Sequence, residues 1–296
     1  MEWRQFVMNL GTLSPTAVEE IFNRHGATSV TLSDAGDDPV LEPGPGETPL
    51  WAATRICGLF SADTDFEKLE AGLLAAFHLA ELPPHHVENL ADCVWEREWL
   101  RDFGPMKFGE RLWITPGDSH VEQDDAVIIR LDPGLAFGTG THATTALCLD
   151  WLDSLPLSGK SMLDYGCGSG VLAIAALKLG CLAATAMDVD PQAVVATSQN
   201  AEINEVAGQL VVCAQAGEIE GEFDVVVANI LAGPLVEFAE SITSRLTGRG
   251  MLALSGVLCE QAESVMAAYS PWIEFDEPAF REQDGQTWSR LMGTRR

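Results

Sequence analysis

The alternation of apolar and polar positions divides the chain into two regions that predict different kinds of structure. In the first region, strand-like and helical segments follow one another in the order β-α-β-β-α-β, which is the order of a ferredoxin-like split unit. Ser14 and Pro15 are expected to open the first helix, and Asp63 or Asp65 to cap the second. The predicted strands are 3–10, 28–32, 51–60 and 86–95, and the predicted helices are 15–25 and about 65–80.

In the second region, β-branched apolar runs alternate with helical segments. This alternation predicts a mostly parallel sheet with helices on both faces, in which ligands bind at the carboxyl ends of the strands. The predicted strands are 161–165, 183–189, 210–212, 223–228, 251–255, 272–275 and 287–292, and the predicted helices are 171–179, 191–204, 231–243 and 261–268.

Together these patterns predict three parts of the chain. They are a ferredoxin-like α+β domain over 1–95, a connector over 96–125 and a Rossmann-like α/β domain over 126–296. The run WEREW, which begins at Trp95, predicts a short helix with two tryptophans one turn apart. We expect these tryptophans to pack between the domains, with contact to a substrate as the alternative. Trp288 is expected in a core or an interface.

The charge balance restricts the partners. The chain has 17 Lys plus Arg against 44 Asp plus Glu, a net charge of −27, and no basic cluster. Direct binding of nucleic acid is therefore not expected, whereas a basic protein would be attracted. The N-terminus lacks the pattern of a signal peptide, and no apolar run predicts a membrane span. Seven scattered cysteines without a C-x-x-C pair indicate reduced thiols, a cytoplasmic location and no metal.

A glycine-rich turn carries the clearest chemical signal. The run MLDYGCGSG places Gly166, Gly168 and Gly170 after Asp164, and Asp188 ends the next predicted strand. Glycine permits positive φ and lets the backbone approach a ligand, while a carboxylate at the next strand end can accept both hydroxyls of a ribose. The combination resembles the S-adenosylmethionine site of class I S-adenosylmethionine-dependent methyltransferases.

Alternatives to this interpretation stay open. The turn is also compatible with NAD binding or with a purely structural role in another α/β protein. Asp190 is expected to cap the helix that begins at Pro191 rather than to bind a ligand.

Asn229 follows the apolar run of the strand predicted at 223–228 and begins the motif NILA. In class I methyltransferases that act on amino nitrogens, an Asn-Pro-Pro-Tyr-like motif at this strand end holds the target nitrogen through its Asn and the following carbonyl. The present motif has the Asn but neither proline nor the aromatic ring. This difference favours a tetrahedral alkyl amine over a flat amide or nucleobase, and a loop-capping Asn is the alternative.

A third motif leads to a family. The run LDPGLAFGTGTHATT places His142 and Thr145 in a segment rich in Gly and Thr, which predicts a flexible loop able to close over a ligand. LDPGLAFGTGTH, DYGCGSG, NILAGP and the connector runs WEREW and FGERLWI resemble the ribosomal protein L11 methyltransferase family. The resemblance covers most of 95–296 and is much weaker over 1–94. Ala143 departs from it, because proline is expected there.

The resemblance implies the function and the site. It implies an N-terminal domain that binds the substrate protein, a mobile connector and a catalytic domain that trimethylates lysine side chains and an N-terminal α-amine. The substrate would be the basic ribosomal protein L11 of the large-subunit stalk base. Independently of the resemblance, the net charge of −27 favours L11 that is free before assembly over L11 embedded in rRNA, and a monomer is the default expectation for the enzyme. The implied ligands of the co-substrate S-adenosylmethionine and of the amine are Thr145, Asp164, Gly166, Gly168, Gly170, Asp188 and Asn229.

The reaction is expected to need no dedicated general base. His142 and Thr145 would shape the pocket, and His142 as a proton acceptor is the less favoured alternative to a hydrogen-bonding scaffold. The rival functions are methylation of a release-factor glutamine, methylation of RNA, and binding of S-adenosylmethionine as a sensor without turnover.

Overall fold

The computed structural model describes residues 3–36, 51, 53–90, 104–117, 121–131 and 140–296 of the 296-residue chain. The chain forms two compact units, Met1–Trp95 and Glu96–Arg296. The predicted helix at 95–99 and most of the Gly/Thr-rich run lie outside the described residues. Within the described part, no helix is both long enough and apolar enough to cross a membrane.

The elements of the first unit are, in chain order, β1 (Trp3–Asn9), α1 (Pro15–Arg24), β2 (Ser29–Asp34), β3 (Thr54–Ser61), α2 (Phe66–Phe77) and β4 (His85–Leu90). The strands pair antiparallel in the order β2-β3-β1-β4. Apolar residues of both helices and of one sheet face form a single core, in which Phe6, Phe22 and Phe60 are fully buried. This arrangement is the predicted ferredoxin-like fold.

Local signals set the limits of the two helices of this unit. Asp65, one of the two predicted caps, accepts a hydrogen bond from the backbone N of Lys68 at 3.2 Å. Ser14 precedes Pro15 at the start of α1, but its side chain makes no capping bond. His78 adopts a left-handed conformation and ends α2 at Phe77, earlier than predicted.

The second unit contains most of the chain. Its first elements are β5 (Met106–Phe108), β6 (Leu112–Pro116), β7 (Val127–Leu131), α3 (Ala143–Ser154), β8 (Ser161–Tyr165), α4 (Val171–Lys178), β9 (Ala183–Met187), α5 (Pro191–Ile203) and β10 (Leu210–Cys213). It continues with β11 (Phe223–Asn229), α6 (Ala232–Glu237), α7 (Ala239–Thr243), β12 (Leu246–Leu258), α8 (Ala262–Tyr269), β13 (Ile273–Phe275), β14 (Ala279–Gln283) and β15 (Gln286–Arg295).

The main sheet of this unit has the order β10-β9-β8-β11-β12-β15-β13, and β14 pairs with β15. The first five strands of this order, from β10 through β9, β8 and β11 to β12, pair parallel with one another. The strand β15 is antiparallel to its neighbours β12, β13 and β14. Two buried apolar cores, which together include Leu163, Val225 and Leu254, surround this sheet. The order reverses between β8 and β11, and this switch point places a ligand at the carboxyl ends of those strands. The predicted Rossmann-like class is confirmed.

The described part of the predicted connector belongs to the second unit. Its strands β5 and β6 form a small sheet with β7. The buried carboxylate of Asp153, near the end of α3, accepts hydrogen bonds from the backbone N of Glu110 at 2.6 Å and of Arg111 at 3.1 Å. It also pairs with the guanidinium of Arg111, at 3.3 Å from Nε. The turn between β5 and β6 is thus fixed to the helix that begins at the site described below.

In the region 223–296, one predicted helix is divided, one strand was not predicted, and β12 is longer than the strand predicted at 251–255. The helix predicted at 231–243 is divided into α6 and α7 at Phe238, whose φ of −98° and ψ of 15° lie outside the helical region. The ring of Phe238 instead approaches that of Tyr165, with centroids 6.4 Å apart. The strand β14 was not predicted, although Asp284 and Gly285 form the tight turn, with positive φ at both residues, that joins it to β15.

Candidate functional site

A cavity of about 360 Å³ opens at the carboxyl ends of β8, β9 and β11, where the sheet order predicts a ligand. Its size is within the ordinary range of small-molecule sites. The described residues around it include six of the eight predicted site residues. These are His142, Thr145, Gly166, Gly168, Asp188 and Asn229.

The glycine turn and Asp188 form one wall of this cavity. The backbone N of Gly166 and of Cys167 both donate to the carbonyl of Met187, at 2.8 and 3.0 Å, which ties the turn to the end of β9. The carboxylate of Asp188 accepts from the backbone N of Gly168 at 2.8 Å and of Asp190 at 3.0 Å, through different oxygens. Each oxygen keeps a lone pair, so the carboxylate is held in place and can still accept two hydroxyl groups.

Asp190 has the capping role that was predicted for it. Its carboxylate accepts a hydrogen bond from the backbone N of Gln192 at 2.9 Å and so caps α5. Its side chain is exposed, and the described lining of the cavity does not include it.

Two of the predicted cofactor ligands, Asp164 and Gly170, lie behind the turn rather than on the described cavity wall. The carboxylate of Asp164 is fully buried, and one of its oxygens accepts from the backbone N of Ala173 at 3.1 Å, while the other has no hydrogen-bond partner. Burial raises the pKa of this carboxyl to about 7, and the charge of Asp188 acts in the same direction. Gly170 has a φ of +77°, and a Cβ there would lie 2.7 Å from the methyl group of Thr197. Asp164 and Gly170 therefore support the turn from the side that faces away from the cavity.

The opposite wall begins at the N-terminus of α3. His142 is the N-cap residue of this helix, and its Nδ1 lies 2.8 Å from the hydroxyl of Thr144 and 3.4 Å from the backbone N of the same residue. Its ring packs edge-on against Trp288, with centroids 4.7 Å apart. Burial lowers the pKa of His142, and the charge of Asp284 opposes this effect only in part. These contacts favour the neutral ring with its proton on Nε2.

Asn229 and Thr145 connect the two walls. The amide nitrogen of Asn229, the last residue of β11, donates to the hydroxyl of Thr145 in the first turn of α3, at 3.3 Å. This bond leaves the amide oxygen as the acceptor that Asn229 can offer to an amine.

One residue of the cavity wall was interpreted differently in the sequence, and one residue that contacts the start of α3 was missed. Trp288, expected in a core or an interface, lines the cavity next to His142. Gln283 accepts a hydrogen bond from the backbone N of Ala143 at 2.5 Å, a donor that the expected proline would lack. Both residues belong to the hairpin of β14 and β15, which turns at Asp284 and Gly285, and this Asp-Gly pair was the available signal for a hairpin. The pair does not reveal which element the hairpin approaches.

The comparisons with known proteins agree with the geometry. The family model described as "Ribosomal protein L11 methyltransferase (PrmA)" matches residues 2–296. A protein of Actinobacillus pleuropneumoniae serotype 3 with that name is 47% identical over the whole length of both chains. One of Pseudomonas aeruginosa LESB58 is 49% identical over 100% of this chain and 99% of its own.

A solved structure is similar to this chain in its fold. The crystal structure of a ribosomal protein L11 methylase from Lactobacillus delbrueckii subsp. bulgaricus is similar to this chain with a TM-score of 0.60 and 31% identity. The similarity covers 66% of this chain and all of the other. The chain therefore belongs to the ribosomal protein L11 methyltransferase family and is a methyltransferase.

Proposed function

We propose that this enzyme uses S-adenosylmethionine to methylate amine nitrogens of ribosomal protein L11, namely lysine side chains and the N-terminal α-amine, each to the trimethylated state. One observation carries the proposal. The anchored carboxylate of Asp188 and the amide of Asn229 open into the same cavity, so a nucleoside-binding group and an amine-binding group share one site. The names of the relatives support the choice of substrate.

The residues of the cavity are compatible with binding of the co-substrate S-adenosylmethionine. Asp188 would accept the ribose hydroxyls, and Gly166 and Gly168, both with positive φ, present no side chain to a ligand. Asp164 and Gly170 would hold the turn from behind. When bound, S-adenosylmethionine supplies an electrophilic methyl group on a sulfonium. In its ionised form, the buried carboxyl of Asp164, which has a pKa of about 7 and one oxygen without a hydrogen-bond partner, would favour that positive charge.

The chain's own residues then position a neutral amine. A free lysine has a pKa of about 10.4, so deprotonation near neutral pH costs about 4 kcal/mol, and burial beside a cation reduces this cost. The amide oxygen of Asn229 would accept a hydrogen bond from the amine and orient its lone pair, while Thr145 holds the amide in place. Positioning of this kind can supply much of the rate enhancement.

No residue is assigned as a general base. The Nδ1 of His142 already faces the hydroxyl and the backbone N of Thr144, and burial lowers the pKa of the ring. We therefore assign His142 a scaffold role at the start of α3. Asp164 is fully buried and does not belong to the described lining of the cavity.

The net charge of the chain supports the choice of partner. A net charge of −27 favours encounter with a basic protein and opposes approach to RNA, so we assign free L11 of the stalk base, before ribosome assembly, as the substrate. In this proposal, residues 1–95 recognise the substrate, 96–125 connect the domains and 126–296 catalyse the reaction. The enzyme would act as a cytoplasmic monomer without a metal.

Intact-mass spectrometry tests the proposal. The enzyme is incubated with S-adenosylmethionine and, separately, with free L11, whole large subunits and a release factor. We expect free L11 to gain mass in methyl steps, grouped in multiples of three, and to react faster than assembled subunits. Mass gain on the release factor alone would contradict the interpretation of Asn229, and cofactor binding without any turnover would support the sensor function instead.

A further inference from the structure

Ile230 is packed between two glycines on the cavity wall. On one side, a Cβ at Gly256 would overlap the carbonyl oxygen of Ile230 and lie 2.7 Å from its carbonyl carbon and 3.1 Å from its N. On the other side, a Cβ at Gly166 would overlap the Cγ2 methyl of Ile230. The first contact is made by backbone atoms and the second by a side chain. Both glycines have positive φ, at +83° and +78°.

The close approach at Gly256 is produced by an irregularity in β12. Asn229 pairs with Ser255 in the last parallel rung between β11 and β12, and the pairing of β12 with β15 shifts between Leu254 and Val257. Such a bulge redirects the strand and lets a glycine adopt positive φ. Gly256 is therefore the first residue of β12 beyond the rung that ends at Asn229.

Buried hydroxyl groups hold the bulge in shape. The hydroxyl of Ser255 donates to the carbonyl of Ser289 at 3.0 Å and lies 3.4 Å from that of Thr144, at the start of α3. The hydroxyl of Ser289 donates to the carbonyl of Val257 at 2.9 Å. Both serines are fully buried. The support behind Ile230 is thus a fixed part of the sheet rather than a loose loop.

We propose that Gly256 is a positioning residue for methyl transfer. By leaving room for the carbonyl of Ile230, it sets the position of the backbone that carries Asn229, and the Ile230 side chain fixes that segment to the cofactor turn at Gly166. The inference rests on the proposed function, because it assigns Gly256 to the amine-binding side of the same site. A displacement of about 1 Å at such a site can reduce turnover on the order of 10²-fold.

The first experiment compares Gly256→Ala with Gly221→Ala. Gly221 has a φ of +82° and open space around it, so its variant carries the backbone strain without the contact. We expect kcat on L11 to fall on the order of 10²-fold in Gly256→Ala relative to the control. The Kd of S-adenosylmethionine should stay within about threefold, which corresponds to less than about 1 kcal/mol of binding free energy. Equal kcat in the two variants would overturn the proposal, and so would a loss confined to cofactor binding.

A rescue experiment tests which atoms make the contact. Ile230→Ala removes Cγ2 and leaves the backbone unchanged. It should therefore restore part of the cofactor affinity lost in Gly166→Ala, where the obstructing atom is that methyl group. It should restore nothing in Gly256→Ala, where the obstructing atoms are backbone. Restoration of kcat in the Gly256→Ala, Ile230→Ala double variant would contradict the inference.

Hydrogen exchange separates this inference from the proposed function. The peptide 226–236 is followed by mass spectrometry, which requires no substrate, and we expect faster exchange in Gly256→Ala than in Gly221→Ala. If wild-type enzyme fails to methylate L11, the proposed function falls while this measurement still decides the inference. If Gly256→Ala does not fold, Ser255→Ala loosens the bulge without adding atoms. It should show the same faster exchange, and unchanged exchange would overturn the proposal.

Discussion

The amide nitrogen of Asn229 lies 3.3 Å from the hydroxyl oxygen of Thr145, to which it donates a hydrogen bond. The two residues are 84 positions apart and belong to different elements, the end of β11 and the first turn of α3. The bond fixes the orientation of the amide, because the nitrogen faces the helix and the oxygen becomes the acceptor available to an amine. We therefore expect the two residues to act as one unit in the proposed reaction.

Substitution of Asn229 tests this unit. Asn229→Ala removes the acceptor that orients the amine, so we expect kcat to fall on the order of 10²-fold with the Kd of S-adenosylmethionine unchanged. Thr145→Val should cause a smaller loss, because the amide remains but is no longer held. The kcat values of the two single variants and the double variant form a cycle, and we expect the double variant to be no worse than Asn229→Ala. Additive losses would show that the residues act independently.

Asp188 and Asp190 form a matched pair for a second prediction. Asp188→Ala removes the carboxylate that faces the cavity and accepts from Gly168, so we expect weaker cofactor binding by roughly 10- to 100-fold, the equivalent of one or two charged hydrogen bonds. Asp190→Ala removes only the cap of α5, which should cost about 1 kcal/mol of stability and leave the Kd unchanged. Isothermal titration and thermal unfolding measure the two effects. Equal Kd values in the two variants would refute the assignment of Asp188.

Much of the fold was predictable from the sequence because the signals are local. The element order of both units follows from apolar periodicity, and the caps Asp65 and Asp190 from the preference of carboxylates for free backbone N–H groups at helix starts. The glycine turn before α4 was recognised because positive φ requires a particular residue type.

The remaining features depend on contacts between distant parts of the chain. Trp288 reaches His142 only because β15 inserts antiparallel between β12 and β13, and no local pattern specifies that pairing. Gly256 is one glycine among 27 in the sequence, and the role proposed for it depends on the approach of Ile230, which follows the end of β11. Asp164 was predicted as a ligand because its spacing from the glycines is right. The spacing between the carboxylate and the glycines does not show whether the carboxylate lines the cavity or lies on the other side of the turn.

The pH dependence of turnover tests the scaffold role of His142. Burial lowers the pKa of the ring, so His142 is neutral at neutral pH, with Nδ1 engaged by Thr144. We expect His142→Asn, which can still cap α3, to retain the shape of the pH–rate profile while kcat decreases severalfold through the lost contact with Trp288. Loss of an ionisation near neutral pH in this variant would instead identify His142 as the proton acceptor.

Asp164 gives a prediction about stability. Burial, together with the charge of Asp188, raises the pKa of its carboxyl from 3.8 to about 7 in the folded chain, so the folded state holds this proton more tightly than the unfolded state. The stabilisation from that proton is complete below pH 3.8 and is lost as pH rises towards 7. Without cofactor, Asp164→Asn should therefore gain stability relative to wild type between pH 5 and pH 8.

Chemical denaturation at those two pH values measures the difference, with Asp190→Asn as the control for the same substitution at an exposed position. A saturating cofactor should reduce the trend for Asp164→Asn, since a nearby positive charge stabilises the ionised carboxylate of the wild type. If the difference between wild type and Asp164→Asn were the same at both pH values, the buried carboxyl would not titrate in this range. The raised pKa assigned to Asp164 would then be wrong.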